Sequence, residues 1–263
     1  MIDNKPSIYN AKSVYNQGGG SGTFEVDLGG GVSQTLVFPP YLIPVKYIDL
    51  SNTAGNISIL GARKFECKDN YSVKTVFSLK SSNMSTVNYV FNCQPPLGHN
   101  GTAAFKFSVE KSSSHISWRY FFSGLLHSNT ADNLNWDTDI ITASYVAAQK
   151  KVTLIDEHGF TSSNSSSSPS MNPIGSWTIA GDNFVSNVNT MRGKFYYSWL
   201  RDDLTNKLIA LWVPARDKNN TNIPYIVDCV GGAVGLNYAV GTVSGTEFGE
   251  DIDLSSDVNA WIT

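Results

Sequence analysis

Asp137-Thr138-Asp139 and Glu250-Asp251-Ile252-Asp253 are where this 263-residue chain concentrates its carboxylates. Carboxylates two apart on an irregular loop can chelate calcium. Acids that simply keep a loop soluble are commoner, so no metal site is assigned to either run. The four histidines, His99, His115, His127 and His158, stand apart in sequence, each in or beside a turn. No His-Glu-x-x-His, Cys-x-x-Cys or Walker lysine accompanies them. Ser21 lies among glycines but lacks the frame of a nucleophile elbow, because Thr23 takes the last position. A triad is assembled in three dimensions and leaves no sequence frame of its own. A glycosidase pair needs two carboxyls at a controlled gap, which a sequence does not show. The residues therefore read as those of a non-enzyme without a cofactor. Trp136 is the strongest candidate for ligand contact: Asn133, Asn135 and Asp137 surround it with polar groups, and it breaks the alternation of a strand. With Asp137 and Asp139 it makes a candidate ligand-binding group. Trp118, Tyr120, Tyr197, Trp199 and Trp212 can stack on sugar rings, but alternating aromatics in strands chiefly fill cores.

A second kind of chemistry, attachment, is suggested at the N-terminus. Ser7-Ile8-Tyr9-Asn10 recurs as Ser13-Val14-Tyr15-Asn16, followed by the glycine tracts Gly18-Gly19-Gly20 and Gly29-Gly30-Gly31. In a strand or polyproline II, Tyr9 and Tyr15 face the same way, roughly 20 Å apart. On a helix they would point about 120° apart. An extended segment over residues 1–22 is thus expected, with Ile8, Tyr9, Asn10, Val14, Tyr15 and Asn16 as docking residues for two equivalent pockets or a sheet edge. The bland alternative is a terminus whose repeat is an accident of composition.

Composition narrows the partners. With 19 basic against 22 acidic residues and no basic block, a phosphate-tracking groove is not expected, and nucleic acid is excluded as a partner. No run approaches the roughly 18 apolar residues that span a bilayer, and Met1 to Pro6 lacks a signal-peptide layout, so membrane insertion is not expected. The chain reads as cytosolic when made, or as a mature form. Six glycosylation-type sequons, at Asn56, Asn70, Asn83, Asn100, Asn164 and Asn219, fit an Asn/Ser-rich composition. Cys67, Cys93 and Cys229 share no metal-ligand spacing. Cys67 and Cys93 can meet across neighbouring strands, but free buried thiols are the preferred reading.

The elements that position these residues are short strands. Phe24, Val26 and Leu28 alternate in a half-buried strand. Hairpins are expected for 45–50 with 57–60, 103–109 with 116–122, 140–147 with 152–155, 177–180 with 184–188, 195–200 with 208–213, and 223–230 with 236–243. In the fifth of these Phe195, Tyr197 and Trp199 share a face. Residues 71–79 and 87–91 also read as strands, Leu125 to Asp139 reads as a polar excursion, and Ser255 to Ile262 as a short helix. Thr161 to Pro173 is serine-rich and reads as a flexible loop or linker that adds nothing to a core. Roughly fourteen short strands predict an all-β fold, an antiparallel sandwich or jelly roll preceded by an extended N-terminal segment. The division expected is 1–22 as attachment segment and 23–263 as body, with 161–173 as the place where the body would subdivide.

The tag with its repeated Tyr-Asn, the glycine tracts and the Ser/Asn/Thr/Gly-rich β body together resemble tailed-bacteriophage virion surface proteins: head fibres, tail fibres and baseplate appendages. The resemblance rests on Ser7 to Asn10, Ser13 to Asn16 and the layout of the whole chain. It implies a virion structural or decoration protein, made in the host cytoplasm and docked onto other virion proteins by its N-terminus. It also implies a homo-oligomer, often a trimer, whose β body serves host attachment, for which a host surface glycan is the candidate ligand. The chain lacks the heptads and repeated shaft of long fibres, so a short globular fibre is implied. A secreted carbohydrate-binding or carbohydrate-active sandwich is the competing expectation, and a jelly-roll capsid-like subunit a third.

Overall fold

From Leu208 to Ala215 the sequence is almost continuously apolar, and Leu208 and residues 210–215 are all buried. A strand reads this way when both its faces are covered. The computed structural model describes residues 13–14, 22–52, 54–66, 70–84, 87–94, 105–111, 116–122, 125–130, 139–165, 174–179, 191–219, 224–231, 233–234 and 236–262.

The first strands are β1 (Ser13–Val14), β2 (Gly22–Asp27), β3 (Ser33–Phe38), β4 (Leu42–Pro44), β5 (Ile48–Asp49), β6 (Ala54–Glu66) and β7 (Tyr71–Leu79). They are followed by β8 (Val87–Gln94), β9 (Phe105–Lys111), β10 (Ile116–Phe122), β11 (Leu125–Thr130), β12 (Ile141–Val146), β13 (Lys151–Asp156) and β14 (Thr161–Ser165). The remainder are β15 (Ile174–Ile179), β16 (Gly193–Asp202), β17 (Lys207–Asp217), β18 (Pro224–Asp228), β19 (Ala233–Val234), β20 (Leu236–Ser244) and β21 (Glu247–Phe248), before the helix α1 (Leu254–Ile262).

They form an antiparallel β-sandwich with an added layer. A central sheet of eleven strands runs β14-β13-β12-β7-β16-β17-β18-β19, with β4, β5 and β21 joined at its side. A seven-stranded sheet, β11-β10-β9-β8-β15-β6-β20, covers one face. Between them lies the larger core, with Phe91, Phe107, Trp118 and Ile179 from one sheet against Tyr71, Phe77, Tyr145, Phe195 and Trp212 from the other. On the opposite face, Phe24, Val26, Leu36 and Phe38 from the three-stranded sheet β1-β2-β3, with Leu254 and Val258 of α1, pack on Tyr197, Trp199, Leu211 and Val213. β17 lies between the two cores, which accounts for its unbroken apolar run.

Several expected pairings are met: β9 with β10, β12 with β13 and β16 with β17 are hairpins, and α1 covers the expected helix. Others are corrected. β5 pairs with β16 and β21, whereas β6 pairs with β15 and β20, so 45–50 and 57–60 belong to different sheets. β18 and β20 are likewise split. Turn-forming residues mark a reversal of the chain, but a corner between sheets needs the same residues as a hairpin. Within the polar stretch after Leu125, β11 is an edge strand on β10. Thr161–Ser165 is no linker: it pairs with β13, and buried Ser162 accepts a hydrogen bond from Trp118 Nε1 at 3.2 Å. Residues 166–173 and the expected strand at 184–188 lie outside the described residues.

The expected common face of Phe195, Tyr197 and Trp199 is also corrected. Phe195 pairs with Phe77 and Tyr197 with Val76, leaving Tyr196 as the extra residue of a β-bulge. The bulge shifts the alternation by one position. Phe195 therefore enters the larger core while Tyr197 and Trp199 enter the other.

Candidate functional site

The residue that the bulge inserts lines an open cleft of about 450 Å³, together with Asp49, Ser51, Asn52, Ser78, Leu79, Lys80, Ser82 and Lys194. Four elements meet there. Lys194, near the start of β16, lies directly opposite Asp49 of β5 and Ser78 of β7, so these three side chains form a row across one face. β7 ends at Leu79, and a 3₁₀ turn, Ser81–Asn83, carries Ser82 over the rim. Asn83 Nδ2 donates to the carbonyl of Ser51 at 2.9 Å and to Asn52 Oδ1 at 3.3 Å, tying this rim to the turn after β5. Asp49 Oδ1 accepts the Ser51 N–H at 2.9 Å.

The aromatic wall is held from behind. Tyr47 meets Tyr196 edge to face, centroids 5.5 Å apart, and Lys194 Nζ stands 4.5 Å from the Tyr47 ring centre. Gly249 allows this packing, since a Cβ there would come within 2.9 Å of the Tyr47 ring. Gly193 is tighter still: a Cβ would lie 1.9 Å from the Ser78 carbonyl oxygen. Burial raises the Tyr196 phenol above its ordinary pKa, opposed by the Lys194 ammonium and by a hydrogen bond between the Ser78 and Tyr196 side chains. The phenol stays protonated at neutral pH and can donate as well as accept. An aromatic wall, serine hydroxyls, an amide, two ammonium groups and one carboxylate can together grip a polyhydroxylated ligand.

The sequence-derived candidates lie elsewhere. Trp136 and Asp137 are outside the described residues, as are Ile8, Tyr9, Asn10, Tyr15, Asn16 and Cys67, while Cys229 is a buried free thiol, as preferred. Ser13–Val14 is extended and pairs with β2, Val14 opposite Thr23. Asp139 is buried and faces the turn after β13, with His158 Nε2 3.4 Å from its Oδ1. Glu157 completes a trio whose ligand atoms lie within 4.8 Å of one another, a spacing that could hold a cation, found among the described residues. Asp156 shapes that turn by accepting the N–H groups of His158 and Phe160 at 3.0 and 2.8 Å. Two of the acids at 250–253 are occupied: Glu250 pairs with Lys46 at 2.8 Å, and the Asp251 carboxylate accepts from Nε and Nη2 of Arg216, while Asp253 stands at the start of α1, its backbone carbonyl accepting the N–H groups of Ser256 and Asp257. Trp118, Tyr197, Trp199 and Trp212 are core residues rather than a stacking platform.

Sequence reasoning missed the cleft because its lining comes from three stretches far apart in the chain, 49–52, 78–82 and 194–196. One signal was present. In Phe195-Tyr196-Tyr197-Ser198-Trp199, Tyr196 is a large aromatic out of phase with its neighbours, which is how a bulge looks in sequence.

No family model matches the chain, and no curated protein gives a significant match. Among solved structures the chain is similar to a native heptameric SAP-like pentraxin from Limulus polyphemus, at 8% identity and a TM-score of 0.47, over 61% of this chain and 79% of that one. It is also similar to domains LG4-5 of the mouse laminin alpha1 chain, at 6% identity and a TM-score of 0.43, over 66% of this chain and about half (48%) of that one. A prokaryotic beta-1,3-1,4-glucanase (lichenase) derived from a mouse hindgut metagenome matches at 11% identity and a TM-score of 0.33, over 72% and 96% of the two chains.

Proposed function

We propose that this protein is a non-enzymatic saccharide-binding β-sandwich displayed on a phage virion, tethered by residues 1–22 and assembled as a homo-oligomer. The observation that carries the saccharide reading is the bulge that sets Tyr196 in a cleft of hydroxyl, amide and ammonium groups. Bulges cluster beside functional sites because they re-aim one side chain at the cost of local pairing. A half-buried aromatic ring with polar groups around it suits a sugar, which presents an apolar face and a ring of hydroxyls. The non-catalytic reading is supported by the acids: Asp49 is the one carboxylate among the lining residues, and glycoside hydrolysis ordinarily uses two. The virion reading rests on the duplicated Tyr-Asn tag and the glycine tracts.

The test is a glycan array with the full chain and its Tyr196→Ala variant, paired with a screen for released sugar. Binding that Tyr196→Ala weakens about tenfold or more, the scale of one well-placed contact, is expected. Sugar release would support the carbohydrate-active alternative. Deleting residues 1–22 should leave a folded body that no longer joins virions, and incorporation of the truncated protein would sink the tether.

A further inference from the structure

We infer that the cleft selects a saccharide carrying carboxylate or sulfate groups, with Lys80 and Lys194 as the charge readers. This inference rests on the saccharide-binding reading of the same cleft. Two of the chain's cations converge on this cleft. Lys46 pairs with Glu250, Arg201 with Asp203 and Arg216 with Asp251, each within 3.1 Å. Lys80 and Lys194, like Lys150 and Lys207 elsewhere, make no ion pair among the described residues, but these two converge on one cleft. This is not for want of a neighbour. Lys194 sits opposite Asp49 in the strand register, yet its ammonium lies over the Tyr47 ring, while the Asp49 carboxylate turns to the Ser51 N–H. A cation–π seat holds an ammonium in place without neutralising it. Two ammonium groups against one carboxylate leave the cleft positive in a chain of formal net charge −3. The local sign therefore opposes the global one, as expected where a site selects an anionic group. Lysine acts as a point charge, so carboxylate and sulfate both satisfy it.

The experiment measures binding of the full chain to three matched oligosaccharide series, neutral dextran, sulfated dextran and polyuronate, with Lys80→Gln, Lys194→Gln and Tyr196→Ala. Lys207→Gln, at the far end of the β16–β17 hairpin, is the control. An anionic series should bind at least about tenfold tighter than the neutral one, and each cleft lysine variant should lose about tenfold. Raising salt from about 0.1 M to 1 M shortens the screening length from about 10 Å to about 3 Å and should weaken the complex. The sulfated and polyuronate arms show which anion supplies the charge. Equal binding of neutral and anionic series, unchanged in the lysine variants but lost in Tyr196→Ala, would overturn the inference while leaving the saccharide reading intact. Binding to no series would overturn both.

Discussion

At the scale of single residues, two glycines decide whether the cleft can exist. At Gly193 the backbone of β16 lies against that of β7, and the glycine's own carbonyl accepts the Leu50 N–H at 2.8 Å. A methyl group there meets backbone, which cannot swing aside as a side chain can. Gly193→Ala should therefore destabilise the fold by about 3 kcal/mol, the upper end of the usual cost of overpacking, and denaturant melts against wild type measure it. A cost below about 0.5 kcal/mol, the range of ordinary surface substitutions, would show that the strands are not so closely set. Neither glycine was legible beforehand, because a close approach is a property of two strands and the sequence displays one. Asp139 shows the converse. It stands out in sequence beside Asp137, but its neighbours Glu157 and His158 come from a turn eighteen or more residues away.

At the scale of elements, α1 closes the smaller core. Trp261 stacks on Tyr197 with centroids 4.7 Å apart and planes 11° from parallel, and its carbonyl accepts from Lys74 Nζ and Trp199 Nε1, both at 3.2 Å. A lysine at the last turn of a helix also suits the helix dipole. Burial lowers the Lys74 pKa, with Arg201 adding to the effect, and pushes the Tyr197 phenol up to about 12. An unfolded tyrosine ionises near pH ~10, so between that and the folded value the unfolded state releases a proton that the folded state keeps. The Tyr197 contribution to stability thus falls as pH rises through this window. Trp261→Ala should cost about 2 kcal/mol, less than for a fully buried aromatic, and bring the Tyr197 phenol down toward its ordinary range. Chemical melts and ultraviolet difference titration, with Tyr197→Phe to identify the signal, check both effects. A Tyr197 titration unmoved by Trp261→Ala would show that the helix is not what covers the ring. The helix and most strands were legible from period and turn chemistry. The bulge left one trace, Tyr196 standing between aromatics of both phases, but an inserted residue leaves composition unchanged, and which of the flanking aromatics change side is fixed only by the pairing with β7.

At the scale of the whole molecule, β16 and β17 supply side chains to both cores, Phe195 and Trp212 to one and Trp199 and Leu211 to the other. Neither core can open without disturbing the strands on which the other rests. Thermal unfolding should therefore follow one transition, coincident by tryptophan fluorescence and far-ultraviolet dichroism; two separated transitions would show that the layers are energetically independent. The all-β class was legible because alternation and turn residues recur along the chain. The third layer left one trace, the apolar run of β17, but which elements cover its second face is evident only where β2, β3 and α1 pack on it. The serine-rich stretch gains a different meaning at this scale. Its first five residues, as β14, form one border of the eleven-stranded sheet, the kind of place where strands of neighbouring chains can meet. Three of these five residues are exposed, and all are Ser, Thr or Asn. A border written in small hydroxyl and amide side chains offers an approaching strand little apolar surface to bury, so the part of the stretch that looks most like filler is expected to discourage edge-to-edge pairing between copies.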